Sequence, residues 1–194
     1  MIRVKGGSRG LTTHGHHTDG RATRQSPGEL NRTYYDEHSS EYDDLVFTKS
    51  REHQRHHDLI LSLMAVSGAD EGPFMELGVG TGTLAAKVLH SFPSARYDGY
   101  DVSEGMLHQT GQKLHPFGDR VRLIQQDVTT DLPETRYQVI LTANVIHHLT
   151  KKDKPGLFHR LYAMLKHGGC LIISDMFEPD TEELAGVYEE LERR

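Results

Sequence analysis

Short apolar runs alternate along the chain with stretches in which apolar positions recur every three or four residues. The first pattern is typical of buried strands and the second of helices that bury one face. Five runs predict strands: Phe74 to Val79, Arg96 to Val102, Val121 to Val128, Tyr137 to Ile146 and Cys170 to Met176.

Helices are predicted between most of these strands. Thr48 to Ser67 turns strongly apolar at "LILSLMAV", and a second helical stretch follows the first strand. Ser103, which has the residue type of a helix N-cap, precedes a third helix. A fourth covers Lys154 to His167 and is closed by the pair Gly168–Gly169. Strands that alternate with helices indicate an α/β fold: a doubly wound, mainly parallel sheet with helices on both faces and a ligand crevice at the carboxyl ends of the strands.

The two ends of the chain differ from this pattern. Residues 1–30 hold six of the 19 glycines and too little apolar material to offset the entropy cost of ordering, so we expect a flexible tail. Residues 31–194 then form the folded domain. After the last strand, an amphipathic segment places four apolar side chains on one face: Leu184, Val187, Tyr188 and Leu191.

Composition narrows the class of protein. The length of 194 residues and 36% hydrophobic content suit one domain with one sizeable core. A net charge of −6 repels phosphate backbones, so no nucleic-acid partner is expected. No apolar run reaches the roughly 18 residues of a membrane span. Cys170 is the single cysteine, which excludes an internal disulfide and fits a reducing cytoplasm.

Three glycines at alternate positions, in "ELGVGTG" at residues 76–82, lie where the first strand passes into a helix. Such a turn lets the backbone approach a ligand closely, and N–H groups at the start of the helix favour an anionic group. The turn therefore predicts a nucleotide-like ligand, although glycine turns also serve helix–strand packing. A dinucleotide fingerprint would place its third glycine at Thr83, and a Walker A ending is absent.

This glycine pattern resembles motif I of the class I S-adenosylmethionine-dependent methyltransferases. The resemblance continues in order through "ARYDGYD", "QQDV", "ILTANVIHHL" and "MLKHGGCLIISD", and covers the chain from about Tyr35 onward. It implies a Rossmann-like sheet, S-adenosylmethionine as cofactor, and transfer of its methyl group. Since the chain has no sizeable insertion, we expect a small-molecule acceptor. A non-catalytic S-adenosylmethionine-binding module or partner subunit is the alternative, and Thr83 disfavours a nucleotide-dependent oxidoreductase.

The resemblance also implies roles for individual residues. Glu76 would order the glycine loop around the methionine moiety, and Asp101 would accept both ribose hydroxyls. Asp127 would take the exocyclic amine of adenine, the backbone N–H of Val128 would meet the ring, and Met106 would pack on it. Ordinary structural roles remain open for the four side chains. Glu76 could cap the turn and Asp101 the following helix, Asp127 could be a loop acid, and Met106 could belong to the helix core. The predicted cofactor-binding set is Glu76, Gly78, Gly80, Gly82, Asp101, Met106, Asp127, Val128, Asn144 and Tyr35.

Aromatic and basic residues suggest the rest of the site. Tyr34, Tyr35 and Tyr42 precede the first strand, as a lid helix does in many small-molecule methyltransferases, although packing onto the core explains them nearly as well. His147 and His148 follow the fourth strand directly. We expect one to face the acceptor and the other to pack under the sheet edge, with His148 as the candidate general base.

Other histidines have metal-ligand spacing, but no glutamate or cysteine completes either set, so we predict no metal site. These sets are "HGHH" near the N-terminus and His53, His56 and His57.

The family sheet has seven strands, and this sequence ends at "YEELERR" after about five. An incomplete sequence, a minimal domain and completion by a second subunit all remain open. The exposed edge of the fifth strand would favour self-association.

Overall fold

Five parallel strands form one sheet in the order β3-β2-β1-β4-β5 in the computed structural model of the protein. The structure describes residues 27–43, 51–69, 71–130, 132–176 and 181–182, and the unit that holds the sheet spans Ser26–Asp175. The predicted Rossmann-like, doubly wound class is confirmed. The strands are β1 (Phe74–Leu77), β2 (Tyr97–Asp101), β3 (Val121–Gln125), β4 (Tyr137–Ala143) and β5 (Leu165–Ser174).

Helices cover both faces of this sheet. Neighbouring residues of β1 show why, since Phe74 belongs to one apolar cluster and Met75 to another. The first cluster includes side chains from α2 and α3, and the second includes side chains from α5. Alternation along a strand sends consecutive side chains to opposite faces, so both faces need cover. The helices are α1 (Pro27–His38), α2 (Arg51–Val66), α3 (Thr83–Ser91), α4 (Glu104–Leu114) and α5 (Asp153–Ala163), with 3₁₀ turns at His115–Arg120 and Ile146–His148.

The strand order reverses at β1, which pairs with β2 on one side and with β4 on the other. The chain runs outward through β2 to β3, then returns to place β4 and β5 on the opposite side. Connections leave β1 and β4 toward opposite faces at such a point, and a crevice opens at their carboxyl ends. The glycine turn follows β1 there, so the fold puts it at the mouth of the crevice.

Some predicted boundaries were wrong. Helix α5 ends at Ala163 rather than His167, because Leu165 already pairs with Tyr137 of β4. The pair Gly168–Gly169 lies inside β5, where the pairing register shifts, and does not close the helix. Strands β3 and β4 end three residues earlier than predicted, at Gln125 and Ala143.

Helix α1 begins at Pro27, so residues 27–30, which were assigned to the flexible tail, belong to a helix. The rest of that tail and the amphipathic segment from Leu184 to Leu191 lie outside the described residues. Strand β5 forms one edge of the described sheet, and self-association through it stays a prediction. No helix in the described part of the chain has the length and apolarity needed to cross a membrane.

Candidate functional site

The turn from β1 into α3 uses its three glycines in different ways. Gly78, Gly80 and Gly82 all have left-handed backbone angles, with φ of +69°, +55° and +77°. A Cβ on Gly78 would collide with the side chain of Val145, and one on Gly82 would lie 2.8 Å from Cγ2 of Thr110. A Cβ on Gly80 would meet no atom within 4 Å. Close packing therefore requires glycine at the outer two positions, whereas Gly80 borders open space.

Backbone N–H groups of this turn are already bonded within the protein. Those of Gly78 and Val79 donate to the carbonyl oxygen of Tyr100, at 2.7 and 2.9 Å. That of Gly82 donates to the carbonyl of Val79, and that of Gly80 to Oδ2 of Asp101 at 2.9 Å. The expectation that N–H groups at the start of the following helix hold an anionic group concerns α3, which begins at Thr83, and stays a prediction. A ligand would meet the turn itself through close backbone approach.

Asp101 connects the glycine turn to the start of α4. Its Oδ2 accepts from Gly80, and its Oδ1 accepts from the backbone N–H of Ser103 at 2.9 Å. The side chain is only 8% exposed. Burial raises the pKa of Asp101, although the hydrogen bonds from Ser103 and Gly80 oppose the shift. Asp101 thus fixes the shape of the crevice while its carboxylate lies on the crevice wall.

The crevice holds one cavity that brings most of the predicted site together; we call it the main cavity. Of the predicted residues, it is lined by Tyr35, Gly78, Gly80, Asp101, Met106, Asp127, Val128, Asn144 and His148. Tyr42, from the tyrosine segment proposed as a lid, also lines it, and the lining residues that the sequence prediction did not name are Asn31, Val102, Gln126, Ala143, Val145 and Leu149. Glu76 and Gly82 do not line it.

Glu76 lies instead on a smaller side cavity, which also includes Gly78, Thr81 and Asn144. It is 2% exposed, and the hydroxyl of Tyr97 donates to its Oε2 at 2.5 Å. Burial raises the pKa of Glu76 to about 8, against the opposing effect of the Tyr97 hydrogen bond. The carboxyl group is therefore mostly protonated at neutral pH.

Hydrogen-bond acceptors follow strand β3 among the residues that line the main cavity. Oδ1 of Asp127 accepts from the backbone N–H and the hydroxyl of Thr129, at 2.8 and 2.7 Å. The carbonyl oxygen of Val128 accepts from Arg160 at 3.1 Å. Met106 is buried helix core and also lines the main cavity, and its packing on adenine stays a prediction. Ser103 caps α4, as predicted, because its hydroxyl accepts from the N–H of Met106.

Asn144 lines both the main cavity and the side cavity. It follows β4 with φ of +58°, a left-handed conformation that asparagine tolerates better than most residues. Its backbone N–H donates to the carbonyl of Ser174 at 2.8 Å, which ties the end of β4 to β5. The turn that follows delivers His147 and His148 to the mouth of the crevice.

The two histidines face different partners. Nε2 of His148 lies 2.8 Å from the hydroxyl of Tyr35, on the wall of the main cavity. Burial, with a smaller effect of His147, lowers the pKa of His148, and burial also raises the pKa of Tyr35. Nδ1 of His147 lies 2.6 Å from Oδ1 of Asp175, whose side chain is fully buried. His148 is therefore a neutral, partly accessible ring at pH 7.

Residues 27–43, which we call the α1 segment, run along the main cavity. Tyr35 and Tyr42 line it, as the sequence suggested, but Tyr34 is 55% exposed and does not. Asn31 reaches the cavity from one turn earlier on α1. Within the described residues, no group of three or more histidine, cysteine, aspartate or glutamate side chains is placed to hold a metal ion.

Comparison with known proteins agrees with this geometry. A family model described as "Methyltransferase domain" matches residues 75–171. Malonyl-[acyl-carrier protein] O-methyltransferase 2 of Ilyobacter polytropus is 28% identical over 66% of the chain and 48% of its own length. The ubiquinone/menaquinone biosynthesis C-methyltransferase of Syntrophotalea carbinolica is 30% identical over 64% of the chain and 52% of its length. The chain thus spans about half the length of these curated relatives.

Solved structures of low identity share the fold. A DhpI-SAM-HEP complex superimposes with a TM-score of 0.66 at 21% identity, over 86% of this chain and 73% of that one. Magnesium protoporphyrin IX methyltransferase from Synechocystis with bound SAH gives 0.65 at 17% identity, over 87% and 80%. The family match takes in β1 through most of β5, and with it the turn, Asp101 and the histidine pair. The chain belongs to the methyltransferase domain family.

Proposed function

We propose that this chain binds S-adenosylmethionine in the main cavity and transfers its methyl group to a small-molecule acceptor. The observation that carries the proposal is the 2.8 Å contact between the hydroxyl of Tyr35 and Nε2 of His148, on a cavity wall shared with Gly80 and Asp101. A proton-accepting ring thus lies in the same cavity as the predicted cofactor residues. The names of the relatives as methyltransferases, and the SAM or SAH in the neighbouring structures, support the assignment.

The donor and acceptor groups of the main cavity are complementary to adenosine. Its carboxylates, Asp101 and Asp127, are hydrogen-bond acceptors, whereas ribose hydroxyls and the exocyclic amine of adenine are donors. The Asp101 carboxylate accepts backbone N–H groups from Gly80 on Oδ2 and Ser103 on Oδ1, and its oxygens can also accept from a ribose hydroxyl. The described bonds of Asp127 use Oδ1, which leaves Oδ2 for the amine. Buried Met106 offers an apolar surface to the ring.

The residues near His148 would align the acceptor and take up its proton. The bound cofactor supplies an activated methyl group on a positively charged sulfur, so most of the catalytic work of the protein is alignment. Neutral His148 has a nitrogen lone pair that can take up a proton from a hydroxyl or ammonium group of the substrate that receives the methyl group. In this structure the Tyr35 hydroxyl can donate its hydrogen bond to that lone pair. The substrate that receives the methyl group would therefore reach Nε2 of His148 by replacing the Tyr35 hydroxyl as the hydrogen-bond donor.

Two measurements on the full chain test the proposal. Calorimetry with S-adenosylmethionine measures binding, and incubation with labelled cofactor and a metabolite extract detects transfer. We expect micromolar binding, labelled product, and a loss of product by about 100-fold in His148→Ala. Binding without any labelled product would favour the non-catalytic module, and absence of binding would refute the cofactor assignment.

A further inference from the structure

Two carboxylates of the α1 segment bind the residues that directly follow β1 and β2. Asp36 accepts two hydrogen bonds on Oδ1, one from the hydroxyl of Ser103 at 2.6 Å and one from the backbone N–H of Gly105 at 3.0 Å. These donors belong to the N-cap and first turn of α4. Hydrogen bonds to a carboxylate are roughly twice as strong as neutral ones, so this contact fixes α1 firmly against α4.

Asp43 makes the second attachment, at the glycine turn. Its Oδ1 accepts from the hydroxyl of Thr81 at 2.5 Å, and its Oδ2 accepts from Nζ of Lys113 at 2.6 Å. Lys113 also donates to the hydroxyl of Thr83 at 2.6 Å. The α1 segment is therefore held at its end to the start of α3 and at Asp36 to the start of α4.

Gly105 permits the close approach of α1. A Cβ at this position would lie 2.8 Å from Oγ of Ser39, 3.1 Å from the carbonyl oxygen of Asp36 and 3.2 Å from its Cα. Glycine within a helix is destabilising relative to alanine. The backbone of α1 lies too near α4 for a side chain here, which accounts for glycine in the first turn of α4.

Each attachment connects to Asp101 through a short chain of hydrogen-bonded or neighbouring residues. Ser103 donates its hydroxyl to Asp36 and its backbone N–H to Oδ1 of Asp101. On the other side, Thr81 donates to Asp43, and the preceding residue, Gly80, donates its N–H to Oδ2 of Asp101. Each oxygen of Asp101 is thus set by a stretch of backbone that the α1 segment also holds.

We propose that Asp36 and Asp43 are positioning residues: they hold the α1 segment over the main cavity and, through Ser103 and Thr81, fix the Asp101 carboxylate that receives the ribose. This inference rests on the proposed function. The same attachment places Tyr35 against His148, so it organises both the cofactor end and the acceptor end of the cavity.

A double-mutant cycle on the full chain tests the Asp36 arm. The variants are Asp36→Ala, Ser103→Ala and their combination, and calorimetry measures binding of S-adenosylhomocysteine. We expect each single variant to weaken binding about tenfold, and the double variant to weaken it by clearly less than the product of the two, because both remove the hydrogen bond between Ser103 and Asp36. Adenine alone, which has no ribose, should bind all variants equally.

Glu37→Ala is the matched control, since Glu37 is an exposed acid next to Asp36 on the same helix. It should bind S-adenosylhomocysteine as the wild type does. Asp36→Asn keeps the size of the side chain and serves if the alanine variant does not fold; we expect it to weaken binding about threefold. For the second arm, Asp43→Asn is compared with Glu41→Gln, an exposed acid two residues earlier, and only the former should weaken binding.

Three results would overturn the inference: equal affinity in Asp36→Ala and Glu37→Ala, additive losses in the cycle, or an equal loss for adenine. A general structural role would lower the melting temperature and weaken adenine and S-adenosylhomocysteine alike. Failure of the wild type to bind S-adenosylhomocysteine at all would instead reject the proposed function, so the two failures are distinguishable.

Discussion

The hydroxyl of Tyr35 lies 2.8 Å from Nε2 of His148, although the two residues are 113 positions apart in sequence. The rings meet edge to face, with centroids 5.7 Å apart. Burial raises the pKa of Tyr35, which keeps its hydroxyl protonated, and lowers the pKa of His148, which keeps its ring neutral. The neutral tyrosine can therefore act as the donor and the neutral histidine as the acceptor.

The lowered pKa of His148 predicts the pH dependence of methyl transfer. Below its pKa the ring is protonated and has no lone pair for an acceptor proton. Because burial lowers this pKa from the ordinary 6.5, the acidic limb of the kcat profile should have its midpoint below pH 6.5. The measurement is the initial rate of S-adenosylhomocysteine formation from pH 5 to 8, with the natural acceptor or the best acceptor found.

His159→Asn, at an exposed position of α5, is the control and should leave this profile unchanged. His148→Gln should lower kcat by about 100-fold and remove the acidic limb. An unchanged limb in His148→Gln would assign the titration to another group and exclude His148 as the base.

Asp101→Ala should weaken binding of S-adenosylhomocysteine at least tenfold, or about 1.4 kcal/mol, because the ribose hydroxyls lose a charged acceptor. The structure adds a second effect, since the N–H groups of Gly80 and Ser103 lose their acceptor as well. We therefore expect a loss of about 1–3 kcal/mol in the free energy of unfolding. Calorimetry and urea unfolding measure the two effects, and an unchanged dissociation constant would remove Asp101 from the site.

Gly78 and Gly80 offer a matched pair of substitutions. Both have positive φ, so alanine strains the backbone at either position by about 1–2 kcal/mol. Gly78→Ala also collides with Val145, and we expect a total loss of about 3 kcal/mol in unfolding free energy. In Gly80→Ala the new methyl group enters open space at the cavity wall, so stability falls less while cofactor affinity falls by more than tenfold.

Urea unfolding and calorimetry on both variants separate these outcomes. Gly78→Ala combined with Val145→Ala, which removes the colliding methyl groups, should recover part of the lost stability. If Gly80→Ala binds S-adenosylhomocysteine like the wild type, the cofactor does not approach the turn at this residue.

The sequence predicted the sheet, and it predicted residues that the structure brings to one cavity, because strands and their ends follow from local patterns. Apolar runs located all five strands, and their alternation with helices indicated that the strands run parallel. Gly78 follows β1, Asp101 ends β2 and Asp127 lies two residues after β3, and the carboxyl ends of parallel strands meet at one edge. Their position along the chain places them at this edge, whereas their assignment to a cofactor site came from the resemblance to the methyltransferase family.

Features that depend on contacts between residues far apart in sequence could not be predicted from local patterns. The tyrosines of the α1 segment suggested a lid over the site, but nothing local to Asn31 or Asp36 indicates that α1 packs on α4. Nor does the glycine pattern reveal that Tyr100 and Asp101 take up the N–H groups of the turn, since this depends on how β2 lies beside β1. The end of α5 was misplaced because pairing of Leu165 with Tyr137 outweighs the helix-ending signal of the two glycines.

The buried pair of Glu76 and Tyr97 predicts how stability changes with pH. In the unfolded chain Glu76 ionises near its ordinary pKa of 4.5, whereas in the folded protein burial raises its pKa to about 8. Between these values the folded state binds the additional proton, so its stabilising effect is complete below pH 4.5 and declines as the pH rises toward 8. The free energy of unfolding should therefore fall across this window through Glu76.

Glu76→Gln removes the titration while keeping an oxygen for the Tyr97 hydroxyl. The difference in unfolding free energy between wild type and Glu76→Gln, measured with urea at pH 5, 6, 7 and 8, cancels the titration of other groups. We expect the wild type to lose stability relative to the variant at each step up in pH. A constant difference from pH 5 to 8 would show that Glu76 is ionised in the folded protein throughout this range, as it is in the unfolded chain, and would contradict a raised pKa.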